Sequence, residues 1–300
     1  MEILNDLTKC NFYHYILGGG NTSFSKGYLI FKFLQLSKNN TCIGDAFLRR
    51  KKFLFNNQII SYRNQDLKEQ YQIIKNNRIS DFTFGYCCEK GYLLALQYLY
   101  NKGIDIYSDN HLLQAILDNQ LLIIKYLVNN GINIHGNNND EQPLLDAIRL
   151  NNSPIIKYLI NNGANVSYKR NKPFIRAVAT GNLDVIKYMV DTSDPNNRFN
   201  LHFAMVIAVQ NNRLNVLKYL ESIGADIHAR DDIALRWAAK HGALNSVRYL
   251  IERQANVHAN NDQALQWAVK GNRQDVVRYL ISNGANPNVL TPEQRLQFNI

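Results

Sequence analysis

Apolar residues recur at spacings of three and four through most of the chain, in short runs interrupted by Gly- and Asn-rich segments. In residues 232–257, Leu235, Ala238 and Ala239 lie on one face of a predicted helix, with Asp232 as its expected N-cap. A second run gives another helical face, formed by Leu244, Val247, Leu250 and Ile251. The pattern therefore predicts two short amphipathic helices separated by a tight turn.

The same pattern returns along the chain, and a Tyr followed by Leu or Met marks each copy. These tyrosines are separated by 28, 32, 30, 31, 30 and 30 residues: Tyr98, Tyr126, Tyr158, Tyr188, Tyr219, Tyr249 and Tyr279. The position of Ala238 holds only small residues in the other copies, as a close approach of two helices requires: Cys87, Ala115, Ala147, Ala177, Ala208 and Ala268. A fixed period indicates a repeat architecture, in which each unit buries its apolar face against the next.

The turn between the two helices is the most uniform position of the repeat. It holds only Gly or Asn, which tolerate left-handed backbone best: Gly91, Asn119, Asn151, Gly181, Asn212, Gly242 and Asn272. A second turn, after the second helix, holds Gly in five copies, whereas Ser193 and Gln254 replace it in the other two. Because Asp194 and Pro195 follow Ser193, we expect a local irregularity there, with hydrogen exchange fastest around Thr192–Asn200.

These features predict an all-α fold in which about seven helix pairs stack into a solenoid. The array is expected to cover residues 81–290, with repeats at about 81–107, 108–138, 139–169, 170–199, 200–229, 230–259 and 260–290.

Residues 291–300 are predicted to form a short C-terminal capping helix. Thr291 at the N-cap, Pro292 after it and Gln294 two positions further follow the capping-box pattern. Leu296 and Phe298 would then cover the open face of the last repeat.

Residues 1–80 do not follow this register and are predicted to form a basic module or cap. They contain 12 Lys and Arg against 5 Asp and Glu, whereas the whole chain of 300 residues has a formal net charge of +10. Such an excess of positive charge favours acidic partners. The cluster Arg49–Lys52 fits a localisation signal, a nucleic-acid patch or a simple charged loop. The stretch Leu67–Ile74 has a helical pattern and fits a degenerate repeat ahead of Asp81.

The sixth unit resembles the ankyrin repeat family. Its stretch Ala238–Ile251, AAKHGALNSVRYLI, is similar to the family's A-A-x-x-G-H-x-x-V-V-K-L-L-L run, and Asn162–Asn165 and Asn283–Asn286 resemble its G-A-D/N ending. The family's T-P-L-H opening is missing. The period is about 30 residues rather than 33. The missing residues fall in the loop that forms the family's projecting finger, so we expect short fingers and a shallow groove. This Tyr-Leu, Asn-rich variant is similar to the ankyrin proteins of giant DNA viruses.

The resemblance implies a non-enzymatic scaffold or adaptor that binds a protein through the concave ankyrin surface, with a host protein as partner if the chain is viral. Trp237 and Trp267 occupy the same position in neighbouring repeats, which the family geometry places on that surface. As contact residues they would act together with Arg236, Gln266, Arg176, Asp146, His228 and His258. The alternative is that the indoles only pack against the next helix.

A basic residue precedes most of the anchor tyrosines, and stacked repeats would align these residues as a ladder: Lys125, Lys157, Lys187, Lys218, Arg248 and Arg278. This ladder and the basic first 80 residues support an alternative function, the binding of nucleic acid or another acidic surface. The simpler interpretation is a solvated helix face, partly neutralised by pairs such as Asp184–Lys187 and Asp275–Arg278.

The sequence predicts no catalytic, cofactor or metal site. His228 and His258 lie near Asp231 and Asp262, but a His–Asp pair without a nucleophile or oxyanion site does not define a reaction. No membrane-spanning run is present, and we expect an intracellular monomer, in the host cytoplasm if viral, with the nucleus also open. Four cysteines lack zinc-ligand spacing and are expected to be reduced thiols: Cys10, Cys42, Cys87 and Cys88.

Overall fold

The computed structural model describes most of the chain from residue 81 onward and short pieces before it. The described backbone covers residues 52–55, 58–61, six positions between 66 and 76, 81–103, 109–136, 138–193 and 199–300. It divides into two compact units, one ending at Ile132 and the other beginning at Asn133. The side chains of the Arg49–Lys52 cluster, and Cys10 and Cys42, lie outside the described residues.

The first unit contains a two-stranded hairpin followed by two helix pairs. Strands β1 (Lys52–Phe55) and β2 (Gln58–Ser61) are antiparallel, with Lys52 opposite Ser61. The sequence did not predict this hairpin. The described positions between 66 and 76 are helical, in agreement with the pattern at Leu67–Ile74. The two pairs are α1 (Asp81–Lys90) with α2 (Leu93–Asn101), and α3 (Asp109–Leu117) with α4 (Leu121–Asn129).

The second unit contains five further helix pairs and a terminal helix. The pairs are α5 (Gln142–Arg149) and α6 (Ser153–Asn161), α7 (Tyr168–Thr180) and α8 (Leu183–Thr192), α9 (Leu201–Gln210) and α10 (Leu214–Ser222), α11 (Ala229–His241) and α12 (Leu244–Glu252), and α13 (Ala259–Lys270) and α14 (Gln274–Ser282). A 3-10 turn at Pro287–Val289 leads to α15 (Pro292–Phe298). From residue 81 onward, the described residues therefore form the predicted all-α helix-pair array.

The apolar positions of the repeat form the core in both units. In the sixth pair Leu235, Ala238, Val247 and Leu250 are fully buried, and the equivalent residues of the other pairs are buried in the same way. The position of Ala238 is 0% exposed in all seven copies, so a larger side chain there would force neighbouring helices apart.

Every residue of the turn between paired helices has a positive φ, between 53° and 83°. The second turn has two residues other than Gly, and their backbone conformations differ from each other. Gln254 keeps the left-handed conformation, with φ 67°, although it has a side chain. Ser193 instead is extended, with φ −75° and ψ 150°, and the described backbone resumes at Phe199. The irregularity predicted from the sequence is therefore present at Ser193, whereas the backbone at Gln254 is regular.

Helix α15 begins with the predicted capping box. The Thr291 hydroxyl accepts a hydrogen bond from the Gln294 backbone N–H at 3.2 Å, and the Gln294 side chain accepts one from the Thr291 backbone at 3.0 Å. Phe298 is buried, as predicted, but Leu296 is 79% exposed. The prediction for Leu296 was wrong, because α15 is a seven-residue helix that turns only one of these two side chains inward.

Candidate functional site

Trp237 on α11 and Trp267 on α13 contact each other edge to face. Their ring centroids lie 5.9 Å apart and their planes cross at 81°. Neither indole is fully buried, in contrast to Leu235 and Leu265, which occupy core positions of the same helices. The indoles thus pack on one another and also keep part of their surface open to solvent.

Lys240 and His241 complete this cluster, which we call the indole cluster: Trp237, Lys240, His241 and Trp267. The Lys240 ammonium lies over both indoles, 4.5 Å from the Trp237 centroid and 5.3 Å from the Trp267 centroid. The His241 ring stacks on Trp237 with a 9° interplanar angle and a centroid distance of 5.5 Å. Sequence reasoning missed Lys240, although its position three residues after Trp237 on one helix was the available signal.

Arg236 and Gln266, predicted as partner contacts, form hydrogen bonds within the repeat array. The Arg236 guanidinium donates to the backbone oxygens of Arg230 at 2.6 Å and Asp231 at 3.1 Å, and Arg236 is only 7% exposed. The Gln266 amide donates to the Asn261 backbone oxygen at 2.7 Å. The Arg236 guanidinium also donates to Gln263 Oε1 in the next repeat at 2.6 Å, so it joins two repeats, and its role as a partner contact stays a prediction.

Asp146 and Arg176 share the repeat position of the two tryptophans but differ in exposure. Asp146 is 7% exposed, and its carboxylate accepts hydrogen bonds from Gln142 at 2.7 Å and Arg149 at 3.2 Å. These bonds occupy the Asp146 carboxylate locally, and its role as a contact residue stays a prediction. Arg176 is half-buried on α7 and keeps an accessible edge.

Among the described residues, five of the loops after second helices are compact turns that share one hydrogen bond. In each, an Asn or Asp side chain accepts from the backbone N–H two residues later, at 2.9–3.0 Å; the acceptors are Asn133, Asn165, Asp226, Asn256 and Asn286. The last residue of the G-A-D/N ending thus forms an Asx turn with its side chain, which explains why this position holds only Asn or Asp.

His228 and His258 lie in these loops, and each bonds a buried carboxylate. The His228 Nδ1 lies 2.9 Å from Asp232 Oδ1, and the His258 Nδ1 lies 3.0 Å from Asp262 Oδ1. His228 thus bonds Asp232, the residue after the Asp231 that the sequence places near it. Both imidazoles remain about half exposed, at 51% and 56%.

Asp232 is not the ordinary N-cap that the sequence suggested. Its φ is +51°, and the two residues before it, Arg230 and Asp231, are also left-handed. The same three-residue conformation occurs at Asn260–Asp262 and at Lys169–Asn171. Asn and Asp tolerate this conformation better than most residues. The short fingers expected from the 30-residue period thus correspond to left-handed turns that lead directly into the first helix.

The basic ladder contacts tyrosine rings of neighbouring repeats. Four of its six cations lie over the anchor tyrosine of the following repeat at 4.9–5.6 Å from the ring centroid: Lys157 over Tyr188, Lys187 over Tyr219, Lys218 over Tyr249 and Arg248 over Tyr279. The predicted Asp184–Lys187 pair is wrong, because the Asp184 carboxylate binds Lys157 of the preceding repeat at 2.8 Å instead.

The anchor tyrosines also bond backward through their hydroxyl groups. Tyr188 donates to the Asn161 side chain, and Tyr249 donates to Glu221, in each case in the preceding repeat. The ring and the hydroxyl group of each of these tyrosines therefore both contact the preceding repeat, and they stabilise the interface between successive second helices. This double contact explains why the basic residue and the Tyr recur together.

Other chemical groups give no further site in the described residues. The part of the chain that the structure covers contains no cluster of three or more His, Cys, Asp or Glu side chains placed to hold a metal ion. Its helices include none that is both long and apolar enough to cross a bilayer. Cys87 and Cys88 are buried free thiols, and burial raises the pKa of Cys87 to about 12, which keeps it protonated.

Comparison with known proteins identifies the fold. The family model described as "Ankyrin repeats (3 copies)" matches residues 84–170 and 208–291, more than half of the chain. The ankyrin repeat domain of human ASB11 is similar over 68% of this chain and 98% of its own, with a TM-score of 0.56 and 21% sequence identity. The ankyrin repeat domain of Bcl-3 is 24% identical over 59% of this chain and 87% of its own, with a TM-score of 0.47. No curated protein sequence matches significantly. The chain belongs to the ankyrin repeat family.

Proposed function

We propose that this chain is a non-enzymatic scaffold that binds a protein partner across the first helices of its second unit, with the indole cluster at the centre of the contact. Ankyrin repeat domains generally mediate protein–protein interactions. The observation that carries the proposal is the pair of partly exposed indoles on adjacent first helices. Trp residues of this kind supply a large share of interface energy because they combine apolar area with few rotatable bonds.

The proposal also includes the kind of partner and the form in which the protein acts. The 30-residue period and the Tyr-Leu, Asn-rich composition resemble viral ankyrin proteins, which supports a host protein as partner and an intracellular monomer as the acting form. The nucleic-acid alternative has less support, because the second helices α8, α10, α12 and α14, which carry four of the ladder cations, hold five Asp and Glu against four Lys and Arg.

Affinity purification of the intact protein from its natural cellular setting tests the proposal. The Trp237→Ala/Trp267→Ala variant is compared with a matched control, Lys187→Ala/Lys218→Ala, on the second helices. We expect a protein partner that is lost with the first variant and kept with the second, provided that both variants show the same thermal unfolding. Recovery of nucleic acid, or a partner lost only with the control, would reject the proposal.

A further inference from the structure

We infer that the partner presents an acidic segment to this surface, with a carboxylate on the Lys240 ammonium group and an apolar side chain against the two indoles. This inference rests on the proposed function and adds the chemistry of the partner. It assigns Lys240, rather than the ladder of basic residues, as the central cation.

Positive charge in the second unit is concentrated on the first helices. Helices α7, α9, α11 and α13 carry eight Lys and Arg against three Asp. Two of those aspartates, Asp232 and Asp262, are buried and bonded to histidines. The second helices α8, α10, α12 and α14 carry four Lys and Arg against five Asp and Glu. The surface that carries the indoles is therefore the cationic one.

The cations of this surface are available to a partner. Lys172, Lys240 and Lys270 are exposed and Arg176 is half-buried. Within the described residues, none of the four forms an ion pair with a carboxylate. An acidic partner would supply the missing counter-charge, which is the basis of electrostatic complementarity at interfaces.

Lys240 differs from the other three cations because the two indoles hold its ammonium group in place. A cation over an aromatic face keeps its full charge and its hydrogen-bond donors. Arg273 adds a second positive charge nearby, since its guanidinium donates to the Lys240 backbone oxygen at 3.3 Å. A carboxylate bound at Lys240 would thus meet a fixed donor, with apolar indole surface directly beside it.

The arrangement favours a peptide over a nucleic acid. A nucleic-acid backbone requires a continuous track of cations. Helix α9, which lies between α7 and α11, carries no Lys or Arg and contributes Phe203, 48% exposed, and the partly exposed Ile207. The cations therefore lie on both sides of an apolar strip, which fits a segment with central apolar residues and acidic residues at its ends.

Selection from a random dodecapeptide library on the immobilised full-length protein tests the inference. We expect the selected peptides to be enriched in Asp and Glu next to an aromatic or aliphatic residue. The chain has only two tryptophans, so binding of a synthetic selected peptide can be followed directly by the fluorescence of Trp237 and Trp267. Lys240→Glu should weaken this binding by about tenfold or more, the effect of losing one hydrogen bond between charged groups.

The control variant is Lys218→Glu, which reverses an exposed cation on a second helix and should change affinity by no more than about twofold. A peptide pool without acidic enrichment, an empty pool, or equal binding of the matched peptide with Asn and Gln in place of Asp and Glu would overturn the inference. Tighter binding of a single-stranded oligonucleotide than of any peptide would do the same. If a cellular partner is captured while the acidic preference is absent, the inference fails and the proposed function stands.

Discussion

One buried side chain from outside the repeat array caps a helix that has no capping side chain of its own. Helix α2 has Tyr92 at its N-cap, without a capping side chain. The Gln70 amide oxygen takes that role from outside the repeat, since it accepts hydrogen bonds from the backbone N–H groups of Leu94 at 3.1 Å and Ala95 at 3.4 Å. Gln70 is fully buried. This part of the predicted N-terminal module therefore covers the first repeat directly.

Replacing Gln70 with Leu should lower the free energy of unfolding by about 1–2 kcal/mol, because two N–H groups at a helix start lose their acceptor. Gln72→Ala, an exposed change in the same segment, is the matched control and should have little effect. Urea unfolding and hydrogen exchange at Leu94 and Ala95 measure the difference. Equal stability of the two variants would show that Gln70 is not a cap.

His241 gives the indole cluster a dependence on pH. Its pKa is lowered by burial, by Lys240 and by Arg273. The folded chain therefore binds this proton less readily than the unfolded chain, whose His has its ordinary pKa of about 6.5. The stability that neutral His241 contributes is fully present above a pH of about 6.5, and it is lost as the pH falls toward the lower pKa that His241 has in the folded chain.

The variant His241→Asn should consequently lose less stability than the wild type between pH 7 and pH 5. Thermal unfolding measured across this range provides the comparison, and His202→Asn, an exposed His on α9, serves as the control. Identical acid sensitivity of the wild type and His241→Asn would contradict the assignment.

At the scale of the element, the choice of Gly or Asn at the turn between paired helices goes with the size of the side chain that the following repeat places against it. A Cβ atom on Gly181 would lie 2.6 Å from Arg213 Cδ, and one on Gly242 would lie 2.7 Å from Arg273 Cδ. Each arginine donates to a backbone oxygen near the end of the preceding first helix. Where the turn holds Asn151 instead, the next repeat offers the short Asn182, which donates to the Asn151 side chain at 2.7 Å. Glycine therefore provides space as well as left-handed backbone.

A double-mutant cycle tests this pairing. Gly181→Asn should cost about 1–3 kcal/mol through overpacking against Arg213, although Asn tolerates the left-handed backbone. Adding Arg213→Ala should restore at least part of that loss, so the two changes are expected not to be additive. Gly163→Asn is the control, since it has a similar positive φ and no atom within 4 Å of the added Cβ. Equal costs at Gly181 and Gly163, without coupling to Arg213, would show that backbone conformation alone selects glycine.

The elements could be predicted from the sequence, whereas contacts between repeats could not. Spacings of three and four located the helices, and the Gly or Asn positions located the turns, because both depend on neighbours close in sequence. The partner of Lys187 is Tyr219 in the next repeat, so the short-range pairing with Asp184 was the wrong choice. Arg236 was predicted as a contact residue from its place beside Trp237. Its acceptors are the carbonyl groups of a left-handed turn and the Gln263 side chain of the next repeat, which the sequence did not indicate.

At the scale of the whole molecule, the least regular junction of the second unit is the one after α8. Ser193 ends the helix in an extended conformation, and the next described residue, Phe199, stacks on Phe174 with ring centroids 4.0 Å apart. The other second-helix turns of this unit take a left-handed residue that closes the helix: Gly163, Gly224, Gln254 and Gly284. The regular period is therefore interrupted at this junction.

Hydrogen exchange should consequently be faster at the described residues of Thr192–Asn200 than at the equivalent junctions around Gly224 and Gly284. The closing hydrogen bond from the Ser193 N–H to the Val190 oxygen is 3.4 Å long, against 2.9 Å at Gly224 and 3.0 Å at Gly284, and a weaker bond lowers the free energy of local opening. Exchange measured by mass spectrometry on the full chain checks this order. Uniform protection of all three junctions would contradict it.

The pairing of Gly with a long side chain one repeat later also limits how such a chain can evolve by duplication. A copied or deleted 30-residue unit joins two repeats that were not neighbours before. The cation and tyrosine of each interface are nearly the same throughout, so they would fit at almost any new junction. The turn would fit less well: an Asn in the predecessor of a repeat that carries Arg213 would crowd the arginine side chain. Gene rearrangements that place Asn there should therefore favour a compensating change that shortens the arginine.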